Sequence, residues 1–146
     1  MRRIGEPYIP GIPYRDRIGA YAIIAGRDGH LLLVDEDGEL QLPGGGIDPG
    51  ESPVQAMHRE ALEETGWRIS GLRRIGSFQR YVYIPQYSMW ARKSQLIFIA
   101  RAVMSLGPPT ETGHIPLWMP PDVAARRLDI EGDRVMVREA MQRGLI

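Results

Sequence analysis

Apolar residues along the chain fall into short β-type runs, with one longer stretch of helical spacing among them, and turn residues mark the boundaries. YAIIAG and HLLLVDE are strand-like runs separated by Arg27, Asp28 and Gly29, a hairpin signal. Asp37 and Gly38 then precede ELQLPGG, so three strands are expected before the first helix. That helix reads from Ser52 to Thr65. Ser52 at the N-cap, Pro53 at N1 and Gln55 at N3 complete a capping box, and Gly66 supplies the stop. Projected at about 100° per residue, Val54, Met57, Ala61, Leu62 and Thr65 fall within roughly 140° and form the expected packing face. His58 projects near that arc and is expected to pack there rather than to catalyse.

Beyond the helix, LRRIGSFQRYVYI, SQLIFIARAV and HIPLWM read as strands, and PDVAARRL and RVMVREAMQRG as helices. Many strands with few helices predict an α/β domain whose mixed sheet is covered on both faces. Residues 1–17 carry Pro7, Pro10 and Pro13 among Arg2, Arg3, Arg15 and Arg17 with little apolar periodicity, which predicts an N-terminal arm ahead of one domain over 18–146.

Charge narrows the partners. Eighteen Lys and Arg balance eighteen Asp and Glu in 146 residues, so no basic field of the kind that binds nucleic acid is expected. The chain has no cysteine, which excludes disulfides and thiolate-held metals and leaves oxygen-held ones open. Glu6 and Pro7 interrupt the basic start before any signal-peptide core appears, and no apolar run is long enough for a membrane helix. A cytoplasmic protein is expected, with no membrane partner.

One feature runs against local preference. Glu60, Glu63 and Glu64 sit near the C-terminal end of the predicted helix, where carboxylates meet the negative end of its dipole, and Glu60 repels Glu64 across an i,i+4 spacing. They share one face within roughly 100°, with Glu51 just before the helix start, and together make a hard-oxygen site suited to magnesium or manganese. Arg59, four residues before Glu63, can hold one of these carboxylates in place. Gly44, Gly45, Gly46 and Gly50 let backbone approach a ligand, and the Gly44 carbonyl is a candidate further oxygen ligand.

Gly45, Glu51, Arg59, Glu60, Glu63, Glu64 and Gly66 fill all seven fixed positions of a G-x5-E-x7-R-E-U-x-E-E-x-G-U pattern. The stretch resembles the box of the Nudix hydrolase family (MutT-like), with Ala61 and Trp67 at the usually aliphatic U positions. The resemblance implies an α/β/α sandwich and divalent-metal-dependent hydrolysis of the diphosphate bond in a nucleoside diphosphate linked to another moiety. It further implies Glu60 and Glu64 as main metal ligands, Glu63 as a further ligand or general base, and Gly44 as a carbonyl ligand. Glu51 and Arg59 support the site, and Glu111, ahead of HIPLWM, is the second candidate base. The alternative is a Nudix-fold nucleotide-binding or regulatory module without turnover.

Substrate contacts lie outside the box. Tyr83, Tyr87 and Trp90 are the candidates for stacking on a nucleobase, although Tyr81 and Tyr83 alternate as strand residues suited to packing. The arm arginines, with Arg92 and Lys93, are candidates for extra phosphates, and the arm is also a candidate homodimer contact. His30, His58 and His114 lack the spacing of a histidine metal site and are expected to stand outside the ligand set.

Overall fold

The computed structural model describes residues 1–146 as a single mixed sheet with helices on both faces. The strands are β1 (Arg15–Ala25), β2 (Leu31–Glu36), β3 (Glu39–Gln41), β4 (Gly44–Gly46), β5 (Trp67–Ile84), β6 (Met89–Ser105) and β7 (His114–Met119). The helices are α1 (Pro53–Thr65), α2 (Pro121–Arg127) and α3 (Glu131–Gln142). The main strand order is β3-β2-β1-β6-β5, with β4 paired to β1 and β7 to β2. Only β1 and β6 run parallel, Arg15 to Ala25 lying against Ala91 to Arg101. This is the sandwich expected, and it departs from the sequence reading in three ways.

The first departure is length. β1 begins at Arg15, inside the stretch read as an arm, because its residues pair with the long β6. β5 and β6 likewise outrun their apolar runs, and together form a hairpin closed by a single 3-10 turn at Pro85–Tyr87. Second, ELQLPGG is two strands. Pro43 has no N–H to donate to a ladder, so the chain breaks between β3, which pairs with β2, and β4, which pairs with β1. The two hairpin signals hold: Gly29, Asp37 and Gly38 all take positive φ.

The third departure concerns α1. Its capping box forms as predicted, with Ser52 Oγ accepting from Gln55 N–H and the Gln55 side chain accepting from Ser52 N–H, and Gly66 closes the helix at φ 76°. The face turned inward is Ala56, Met57, Glu60, Ala61, Glu64 and Thr65. Val54 and Leu62, assigned to that face, are 42% and 36% exposed, and His58 points to solvent. Met57 and Ala61 pack on Ala20, Ala22, Ile24 and Leu96 of the sheet, so the helix is rotated to carry two glutamates inward.

On the opposite face Tyr21, Ile23, Phe78 and Ile97 pack against α2 and α3. The arm residues are ordered against this body. Arg2 forms a two-pronged pair with Glu139 at 2.6 and 3.0 Å, and the backbone around Arg3 pairs with Gln79.

Candidate active site

The site is built where β4 leaves the sheet. Gly44 has φ 150°, and a Cβ on it would lie 2.2 Å from the Ala20 carbonyl oxygen, so only glycine fits there. A Cβ on Gly45 would lie 2.6 Å from the Glu60 carboxylate. The bare backbone therefore lets α1 press its glutamates against β4. Gly44 N–H donates to Glu64 Oε1 at 2.9 Å, so the contact made here is through the nitrogen of Gly44.

Arg59 organises the rest. It donates to both oxygens of Glu51 at 2.8 Å, to Glu60 at 2.9 Å, to Glu63 at 3.2 Å and to the Gly46 carbonyl at 3.0 Å. The predicted Arg59–Glu63 contact is present, but the closer partner is Glu51, and this guanidinium holds the Glu51 carboxyl down to about 2. Glu51 also accepts from Asp48 N–H, which fastens the glycine loop to the helix start.

Glu60 and Glu64 are 8% and 6% exposed. Burial raises the Glu60 carboxyl, with Arg59 opposing the shift, and pushes Glu64 up to about 9. Oxygens of Glu60, Glu63 and Glu111 lie within 4.8 Å of one another, and so do ligating atoms of Glu64, Glu111 and His114. Glu111 thus joins both groups. It is placed by the end of α1, whose Glu63 carbonyl accepts the N–H groups of Thr110 and Glu111 at 3.0 and 2.9 Å.

His114, expected outside the ligand set, lies against these carboxylates. It opens β7 with its side chain buried, Nε2 3.1 Å from Glu64 and Nδ1 3.2 Å from the Thr112 carbonyl oxygen. Its Nε2 thus stands within the group formed with Glu64 and Glu111. Nothing in its local spacing announces this, since the β2–β7 pairing, which sets His114 opposite Glu36, brings it there.

A cleft of about 990 Å³ opens from this cluster and is bordered by Tyr83, Tyr87 and Trp90, the three predicted stacking residues. Tyr83 is 47% exposed and meets Trp90 edge-on at 5.4 Å, while Arg17 lies over the Tyr87 ring at 5.0 Å. Tyr81 takes the packing role, edge-on to Tyr14 at 4.8 Å and to Tyr8 at 5.4 Å. Lys93 and Arg17, both candidates for extra phosphates, also line the cleft, together with Arg80 and Gln95, which the sequence reading did not name.

A family model described as NUDIX domain matches residues 15–140. The chain belongs to this family. Among curated relatives of the NUDIX domain, an RNA pyrophosphohydrolase of Pectobacterium atrosepticum is 39% identical over 71 residues, 47% of this chain and 39% of that protein. A Bacillus subtilis protein provisionally named an 8-oxo-dGTP diphosphatase is 45% identical over 64 residues, 42% of this chain and 43% of its own. The matches thus span less than half the length of these relatives. Among solved structures, a NUDIX hydrolase from Nitrosomonas europaea superposes with a TM-score of 0.69 at 23% identity, covering 89% of this chain and 90% of that one. The MutT protein of Methanosarcina mazei Go1 gives 0.66 at 21%, covering 92% and 98%. These likenesses establish the NUDIX fold.

The buried carboxyls predict a pH effect in the metal-free NUDIX domain. Glu64 has its folded pKa raised from 4.5 to about 9, so its contribution to stability is fully present below 4.5 and is lost as pH rises through about 9. Asp133, raised from 3.8 to about 7 by burial, acts in the same direction at lower pH. In the presence of a chelator, Tm should fall between pH 5 and 9, and excess magnesium should flatten the upper part of that slope. Thermal melts read by circular dichroism check this. A slope unchanged in Glu64→Gln would place its cause elsewhere.

Proposed function

We propose that the chain hydrolyses the diphosphate bond of a nucleoside diphosphate linked to another moiety, using magnesium or manganese. The observation that carries this reading is the convergence of Glu60, Glu64, Glu111 and His114 at one end of a cleft edged by aromatic rings, with Glu63 behind them beside Glu60 and Glu111. The donor set is hard oxygen with one imidazole, and Arg59 directs its closest contacts to Glu51, leaving the inner carboxylates short of positive charge. Such a set fits a divalent cation of this kind. Glu60 and Glu64 would hold it, with Glu63, Glu111 and the Gly44 carbonyl as further ligands. A bound cation would neutralise diphosphate charge and acidify the attacking water.

The residues of the chain divide the remaining work. Arg59 fixes the orientation of Glu51, Glu60 and Glu63 before substrate arrives, so the carboxylates need no rearrangement. Tyr83, Tyr87 and Trp90 offer faces to a nucleobase at the far side of the cleft. Glu111, a carboxylate lining the cleft, is our first choice to take the proton of the water that attacks phosphorus, with Glu63 second. The new P–O bond comes from water, the bridging P–O bond breaks, and the leaving phosphate keeps the bonding electrons.

Turnover of a nucleotide panel with magnesium in oxygen-18 water tests the reading. Label on a phosphate of one product is expected, label at a sugar carbon would mean glycosidic cleavage, and tight binding without turnover would favour a nucleotide-binding module. A cytoplasmic location and assembly as a homodimer belong to the same proposal, the second open to light scattering.

A further inference from the structure

The cleft holds a feature that the carboxylate cluster does not use. Arg17 of β1 lies directly opposite Lys93 of β6, and Lys93 lies directly opposite Arg80 of β5. Directly opposed residues share a face, so three cations stand side by side across three adjacent strands, about 5 Å from stem to stem. Like charges so placed repel, and two such pairs in one row cost stability. All three side chains border the cleft.

Carboxylates of the chain do not explain the row. Of the three, only Arg80 makes an ion pair, with Glu6 at 3.5 Å, and its Nε is buried with no partner. Arg17 rests on the Tyr87 ring, and the Lys93 ammonium lies 5.8 Å from the centre of the Tyr21 ring. Asp133, on α3, is the buried acid on this side of the sheet, but one of its oxygens accepts from Leu42 N–H and the other is unpartnered. Beside Lys93 on β6 the sheet also presents Gln95, 1% exposed and with both amide atoms unsatisfied. Buried polar groups left open in this way are costly unless a ligand or water completes them. Burial and the neighbouring Arg80 hold the Lys93 ammonium down to about 8, which an anion would reverse.

The position of the row decides what it receives. Gly19, Ala20 and Tyr21 of β1 pair with Gly46, Gly45 and Gly44, and Gly44 touches Glu64, so the carboxylate end of the cleft lies beside Tyr21. Arg17 is two residues from Gly19 along the same strand, about 7 Å beyond the glycine pairing. Lys93 reaches back over Tyr21 and bridges the interval. The cations therefore continue a line that starts at the carboxylates.

We propose that Lys93, Arg80 and Arg17 form a second phosphate subsite, which takes a phosphate outside the anhydride being broken and so selects nucleotides with three or more consecutive phosphates. The inference rests on the hydrolase reading above for its substrate class, and on the row itself for its anion chemistry. Guanidinium and ammonium groups together suit a phosphate run, the forked donors fixing one phosphate and the ammonium acting as a mobile charge.

Two measurements test it. In metal-free buffer, calorimetry with inorganic tripolyphosphate should show binding that weakens about tenfold or more in Lys93→Gln and in Arg80→Gln. With magnesium, the wild-type protein should favour a nucleoside triphosphate over ADP-ribose in kcat/KM. Lys93→Gln should shrink that preference about tenfold through KM, leaving kcat for ADP-ribose near its original value. Arg17→Gln, at an exposed position, repeats the test where folding is not at issue, and circular dichroism checks the other two variants. Tripolyphosphate affinity unchanged in all three variants overturns the subsite. Equal losses on both substrates overturn the selectivity, and a loss confined to substrates phosphorylated on the distal sugar overturns the in-line placement. If no substrate turns over, the hydrolase reading fails and the tripolyphosphate titration alone decides the subsite.

Discussion

The double variant Glu60→Gln, Glu64→Gln is expected to bind magnesium and manganese about 100-fold more weakly than the wild-type protein, or not measurably. Both side chains are buried against the glycine strand, Glu60 beside Gly45 and Glu64 accepting from Gly44 N–H. Glutamine preserves the volume and the acceptor for Gly44 N–H but removes the charge on which a hard cation depends. Metal-free stability should hold or rise slightly, since an i,i+4 repulsion of about 0.2–0.5 kcal/mol disappears along with the cost of desolvating the carboxylates. Calorimetry with each metal measures the first effect and thermal melts in chelator the second. Wild-type affinity in the double variant would remove both residues from the ligand set.

What local spacing could reveal of this site was legible. The cap at Ser52, the stop at Gly66 and the glutamates on one side of α1 are set by residues within one or two turns of each other. The direction in which that side faces was not. Counting apolar positions assigns Val54 and Leu62 to the interior, whereas the helix turns Glu60 and Glu64 inward because β4 is three glycines and leaves room for carboxylates. An apolar pattern presumes an apolar floor, and here the floor at one end is bare backbone.

The remaining site residues depend on strand register. His114 meets Glu64 because β7 pairs with β2. Lys93 meets Arg17 and Arg80 because β6 runs parallel to β1 and antiparallel to β5. Separations of 76 and 13 residues along the chain become neighbours on one sheet face, and no periodicity in one sequence encodes that register. The same pairing drew Arg15–Arg17 out of the arm and into β1. Tyr81 and Tyr83 show the smaller version of this effect: both border the cleft from one face, but Tyr81 is buried under the arm tyrosines while Tyr83 is exposed.

Glu111→Gln is expected to lower kcat by about 100-fold or more with little change in KM, and Glu63→Gln to cost less than about tenfold. The sequence alone favours Glu63, since it lies within the box. Geometry reverses the order. The Glu63 carboxylate is engaged by Arg59 at 3.2 Å and does not border the cleft, whereas Glu111 borders it and belongs to both groups of converging donors. A base must reach the water that attacks phosphorus, and Arg59 holds the Glu63 side chain away from the cleft that Glu111 lines. The Glu63 backbone also has a part, because its carbonyl receives Thr110 and Glu111 N–H and so pins the loop that carries Glu111. Substituting the Glu63 side chain leaves those two bonds in place, which is why its effect should be the smaller one. Steady-state kinetics on both variants decide the order, and a near-normal kcat in Glu111→Gln beside a collapsed one in Glu63→Gln would return the base to the helix.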